Sequence, residues 1–274
     1  MTPMAPRTVL SLCLSLAALA SADAGAADCQ ERTYDLLRAA YPGATGETGD
    51  EGELLRTAGA SARWINLGKV VCKVWPASPD KTLLAVPLQH EAATGLDVDT
   101  ADLEVLVVDS ARPRILQRYR ENEALTSDAV QITALTLDTA RYKLDERTTA
   151  FGLRIGYSGS SRANPYSSTV LNLYAADADG QLRPVLSKLE VEKERGEWDT
   201  NCAGEFESVR RTVAIDSKRD HGYAGLRVNS VTERRRNVAK GKDCADVPGK
   251  TEKRSARLAY DGRRYVVPEE LRGL

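Results

Sequence analysis

Phe151-Gly152-Leu153-Arg154-Ile155-Gly156-Tyr157 sets bulky apolar side chains at every second position, with glycine or arginine between them. That period of two is the signature of a half-buried β-strand, because successive side chains leave a strand on opposite faces. Thr169, Leu171, Leu173 and Ala175 repeat the pattern, while Leu103 to Val108 (LEVLVV) is almost continuously apolar and predicts a strand buried on both faces. From Trp64 onward no helical period survives, and β-branched and aromatic runs recur between turn signals. The stretch predicts a mainly β, antiparallel chain.

Working outward, the strand-like runs fall into three sets of four. The first is Val70–Trp75, Leu83–Leu88, Leu103–Asp109 and Ile115–Tyr119; the second is Val130–Leu137, Thr149–Tyr157, Thr169–Asp177 and Leu182–Leu186. The third is Arg211–Asp216, Tyr223–Val231, Ser255–Asp261 and Arg264–Val267. In each set the third run ends in Asp (Asp109, Asp177, Asp261) and turns into the fourth, twice through an Asp-containing turn closed by Gly180 or Gly262. Those aspartates lie 68 and then 84 residues apart, so the excess over a propeller blade falls in insertions at Gln89–Asp102, Ser158–Ser168 and Thr232–Arg254. The layout resembles the degenerate β-propeller-like repeats of secreted bacterial proteins. The resemblance implies about three tandem four-stranded meanders in an open or partly propeller-like stack, with a β-sandwich as the alternative. The repeats run at about 64–120, 128–192 and 205–268 within a single β-rich domain, 27–274.

The N-terminus predicts export. Arg7 precedes a 12-residue apolar run, Val9–Ala20, and Ala20-Ser21-Ala22 and Ala24-Gly25-Ala26 suit signal peptidase, giving a leader at 1–26. The run falls short of the roughly 20 residues a membrane span needs, and Asp28 before Cys29 spoils a lipobox. Removing the leader discards Cys13 and leaves Cys29, Cys72, Cys202 and Cys244, an even number that predicts two disulfides. No pair has C-x-x-C spacing, which argues against zinc or a thioredoxin-type site. Cys29–Cys72 and Cys202–Cys244 is the preferred pairing, because it joins neighbours in sequence and closes loops of similar length. A short N-terminal helix is expected, with Asp28 capping it, Glu31 reaching back, Tyr34, Leu37 and Tyr41 on one face, and Pro42-Gly43 as its stop. Gly43–Glu53 reads as a solvated acidic loop, since its acids do not have calcium-loop spacing.

Lys and Arg number 38 against 39 acids, so the whole chain has no pull toward nucleic acid. The balance is uneven: residues 30–110 carry 13 acids and 7 bases, whereas 204–274 carry 11 acids and 17 bases. Catalytic motifs fail one by one. Gly156-Tyr157-Ser158-Gly159 closes a residue early for a nucleophile elbow, Ser78-Pro79-Asp80-Lys81 is a turn, and Gly249-Lys250-Thr251 lacks the earlier P-loop glycine. Paired carboxylates cannot be assigned, and Trp64, Trp75 and Trp198 read as packing residues. Glu192–Asp199 reads as a charged strand end that discourages edge pairing. No cofactor or metal is expected, and no catalytic residue can be named. The candidate binding element is a basic loop of Arg234, Arg235, Arg236, Lys240 and Lys242, tethered by Cys244. The expectation is a periplasmic or extracellular, non-enzymatic binding protein of the bacterial envelope, such as an immunity protein, an inhibitor or an assembly factor, whose partner is another protein or an envelope component. The alternative is a periplasmic hydrolase with dispersed residues, His90 or His221 serving as base.

Overall fold

The computed structural model describes residues 29–49, 52–90 and 100–274; the leader, Cys13 and the Asp28 cap lie outside them. A helix, α1 (Thr33–Ala40), precedes fourteen strands: β1 (Thr45–Gly49), β2 (Gly52–Arg56), β3 (Trp64–Asn66), β4 (Val71–Val74), β5 (Lys81–Gln89), β6 (Thr100–Asp109), β7 (Ile115–Thr126), β8 (Val130–Lys143), β9 (Thr149–Gly159), β10 (Tyr166–Ala176), β11 (Leu182–Trp198), β12 (Gly204–Asp220), β13 (Tyr223–Lys240) and β14 (Asp243–Leu258). All pairings are antiparallel, as the alternation predicts. The strands gather into two sheets of seven, ordered β1-β2-β3-β5-β6-β7 with β4 also on β5, and β14-β13-β12-β11-β10-β9-β8.

The chain thus runs as successive hairpins, but in two sheets where the run pattern suggested three sets. The break falls after β7, where Ser127 Oγ accepts from the Ile132 amide at 3.1 Å and Asp128 Oδ1 from the Val130 amide at 2.9 Å. These local bonds turn the backbone out of the first sheet. No such break separates the second and third sets, because β11 runs on to Trp198 and pairs with β12. Arg264–Val267 forms no strand; only Tyr265 bridges Tyr260. The three aspartate turns do form: Asp109 and Asp261 each accept two amides, from residues two and three positions on, and Asp177 accepts those of Asp179 and Gln181.

The layers follow from the burial of β5 and β6 on both faces. One face of β6 (Leu103, Val105, Val107) packs on Phe151, Leu153 and Ile155 of the second sheet, with Trp75 edge-on to Phe151. The other face (Leu106, Val108) packs on Leu36 and Leu37 of α1. Cys29–Cys72 pins this helix to β4. Tyr34, expected on the apolar face of α1, is exposed; Leu36 takes that place beside Leu37. The acidic stretch expected as a loop folds as the exposed β1–β2 hairpin. A third apolar core lies on the second sheet, joining Leu171, Leu173 and Leu189 to Leu226, Val228 and the C-terminal Tyr265 and Leu271. There the sheet curls until the Ala224 amide donates to Leu144 O at 2.7 Å, without closing a barrel.

Candidate functional site

Beyond the cores, the second sheet continues as a four-stranded arm. No residue between 192 and 212 or between 229 and 255 belongs to any of the three apolar cores. Where burial is missing, cross-strand pairs must hold the register. Arg195, Glu207 and Arg234 stand side by side on β11, β12 and β13. Glu207 bridges both arginines at 2.9 Å, Arg234 reaches Glu252 at 3.2 Å, and Lys250 and Arg254 complete the ladder on Glu252. Burial pushes the Glu207 carboxyl up, but the two guanidiniums outweigh it and hold it below its ordinary value. Such pairs are individually weak in water; the ladder fixes side-chain positions more than it stabilises.

The opposite face of the arm is built round Phe206, whose register neighbours are Gly196 and Arg235. A Cβ on Gly196 would lie 2.5 Å from the Phe206 ring, and one on Gly204 2.9 Å from it, so both glycines are there for the ring to lie flat. The Arg235 guanidinium covers the ring at 4.3 Å from its centroid. Loop 160–165 closes the β11 side: Gly196 donates to Pro165 O at 3.0 Å and Trp198 to Ala163 O at 2.8 Å, with Arg162 over the Trp198 ring. Cys202–Cys244 staples the β11–β12 turn to the start of β14 at the arm's tip.

The expected basic loop is therefore a correction. Arg234, Arg235 and Arg236 lie within β13, and Lys240 and Lys242 flank the β13–β14 turn at Gly241. A strand sends alternate side chains to opposite faces, so Arg235 stacks on Phe206 while Arg234 and Arg236 point the other way. Arg234 is consumed by Glu207 and Glu252, and Arg236 makes no ion pair among the described residues. Two adjoining grooves of about 680 and 740 Å³ run over the arm; both are lined by Tyr166, Arg195, Phe206, Glu207, Arg234, Arg235 and Gly249. The first also takes in Glu197, Glu205 and Arg236. Sequence reasoning passed over Phe206 and Glu205 and read Glu197 only as part of the charged strand end 192–199; the glycines inside charged strands were the available signal.

Both histidines make structural bonds. His90 Nε2 meets Asp102 Oδ1 at 2.9 Å, and the same carboxylate accepts from Arg63 Nε at 3.0 Å, from Arg120, and from the Glu123 amide at 3.0 Å. Burial pushes Asp102 up, but bonds from Arg120, His90, Glu123 and Arg63 hold it well below the usual carboxylate range. Beside it, buried Glu104 pairs with Arg118 and accepts the Tyr41 hydroxyl. His221 occupies the β12–β13 turn at φ 48°, its Nδ1 3.0 Å from Tyr260 O. No helix among the described residues is long and apolar enough to cross a membrane. The chain matches no protein-family model, no curated protein and no solved structure.

Proposed function

We propose that this chain is an exported binding protein of the bacterial envelope and that the stapled arm is its contact element. The observation that carries the reading is the arm itself: four strands outside the three apolar cores, both faces largely exposed, held by a tip disulfide, an ion ladder and a ring seated on glycines. A fold gains no burial from such an extension, whereas a recognition surface gains from being fixed in advance. Two disulfides fit an oxidising compartment outside the cytoplasm. The bonds made by His90 and His221 supply no reason to prefer the hydrolase alternative. An immunity protein, an inhibitor or an envelope-assembly factor would each use such a surface.

Affinity capture from an envelope extract tests this, using the wild-type chain beside an Arg235→Glu, Arg236→Glu variant. A partner held by the first and lost by the second is the expected result. Turnover of a peptidoglycan or ester substrate with no partner recovered would overturn it, as would finding the protein in cytosol with four free thiols.

A further inference from the structure

The groove of about 680 Å³ contains a row that breaks a local rule of sheet construction. Glu197 on β11 stands directly opposite Glu205 on β12, and Glu205 directly opposite Arg236 on β13. Like charges placed directly across two strands destabilise the pair, and the neighbouring row shows the usual remedy, with Glu207 bridged by Arg195 and Arg234. In this row the remedy is absent: among the described residues none of Glu197, Glu205 and Arg236 makes an ion pair, although β13 brings Arg236 alongside. Departures from local consistency concentrate where a chain serves a ligand. Gly249 borders the groove on the β14 side, where the backbone comes so close to β13 that a Cβ would strike the Arg234 carbonyl at 2.6 Å.

We infer that this row binds a short zwitterionic peptide, its ammonium between Glu197 and Glu205 and its carboxylate on Arg236. The inference rests on the arm being a contact element, and it names the ligand's charges and their separation. Adjacent strands lie about 4.8 Å apart, so the midpoint of the two carboxylates is one and a half spacings, about 7 Å, from the line of Arg236. An extended chain advances about 3.4 Å per residue. A dipeptide therefore spans the row, a single amino acid covers half of it, and a tetrapeptide overshoots by twofold.

Titration calorimetry on the mature, disulfide-bonded protein with L-Ala-L-Ala tests the assignment, against L-alanine, tetra-alanine and N-acetyl-Ala-Ala-amide. The dipeptide is expected to bind about tenfold or more tighter than the other three, one lost charged contact corresponding to about that factor. Glu205→Gln and Arg236→Gln should each weaken it by about tenfold, while Arg112→Gln, in the exposed turn after Asp109 of the first sheet, leaves it unchanged. Equal binding of the blocked peptide, indifference to Glu205→Gln and Arg236→Gln, or no saturable binding in the millimolar range overturns the assignment. If it fails while envelope capture still depends on the arm, the ligand class falls and the arm reading stands. If capture is also indifferent to the arm, both fall.

Discussion

Asp102→Asn offers the sharpest test of what ties the N-terminal segments to the first sheet. The Asp102 side chain is 1% exposed and accepts four bonds, from β3's approach (Arg63), the end of β5 (His90) and β7 (Arg120 and the Glu123 amide). Asparagine keeps one carbonyl oxygen for the Glu123 amide but removes the charge that two guanidiniums face. Breaking a buried ion pair by removing one partner costs about 3–5 kcal/mol. Arg63 and Arg120 keep 22% and 38% of their side-chain surface in water and recover part of their hydration, which places the loss near the lower bound. A loss of about 3 kcal/mol lowers the urea midpoint by about 1 M for a slope of about 3 kcal/mol/M. The pH dependence fixes the cause. A carboxyl depressed in the folded state contributes stability above its unfolded pKa of about 3.9, and that contribution fades as pH falls through the folded value. The gap between wild type and variant should be full at neutral pH and narrow steadily below about pH 4. A neutral-pH loss under about 1 kcal/mol, or a gap unchanged on acidification, would refute the reasoning.

Three further outcomes follow from particular contacts. Cys29–Cys72 and Cys202–Cys244 span 43 and 42 residues, so chain entropy assigns each about 4 kcal/mol; replacing the first pair with serine should lower the urea midpoint of the whole protein, whereas replacing the second should speed amide exchange in the arm first, and equal protection losses in both variants would contradict the coreless arm. Gly196→Val drives a side chain into the Phe206 ring and should cost about 1–3 kcal/mol by overpacking, with Phe206 ring resonances displaced; unshifted resonances would count against the seating. Both His221→Val and His221→Asn remove the bond to Tyr260 O, a loss of about 1 kcal/mol, but only valine places a β-branched residue at φ 48°, which should cost about 2 kcal/mol more, since asparagine suits the turn before Gly222; thermal melts with the two variants indistinguishable would show the turn is unstrained.

Much of the frame was legible because burial leaves a period. β6, β9 and β10 announce themselves through residues such as Leu103, Ile155 and Leu171, and the disulfide partners follow from nearness in sequence. The arm was not legible for the converse reason: a sheet wet on both faces has no apolar alternation, so Thr232–Arg254 read as an insertion when it is a hairpin paired from Leu226 to Lys240. The helix face misassigned Tyr34 because the buried stripe runs through Thr33, Leu36, Leu37 and Ala40, the i, i+3, i+4, i+7 set, and leaves Tyr34 outside it. The Asp102 assembly has no local signature, its side-chain partners lying 39, 12 and 18 residues away. Glu197 and Glu205 become neighbours only once the β11–β12 register is known.

The cysteines carry a consequence for biogenesis. Each native bond joins a cysteine to the next one along the described chain, and the two loops neither overlap nor nest. A polypeptide delivered N-terminus first to an oxidant can close the first ring before the third thiol emerges, then close the second. Under the export proposed above, oxidation in order of arrival makes the correct isomer, and a catalyst that donates disulfides suffices without one that reshuffles them.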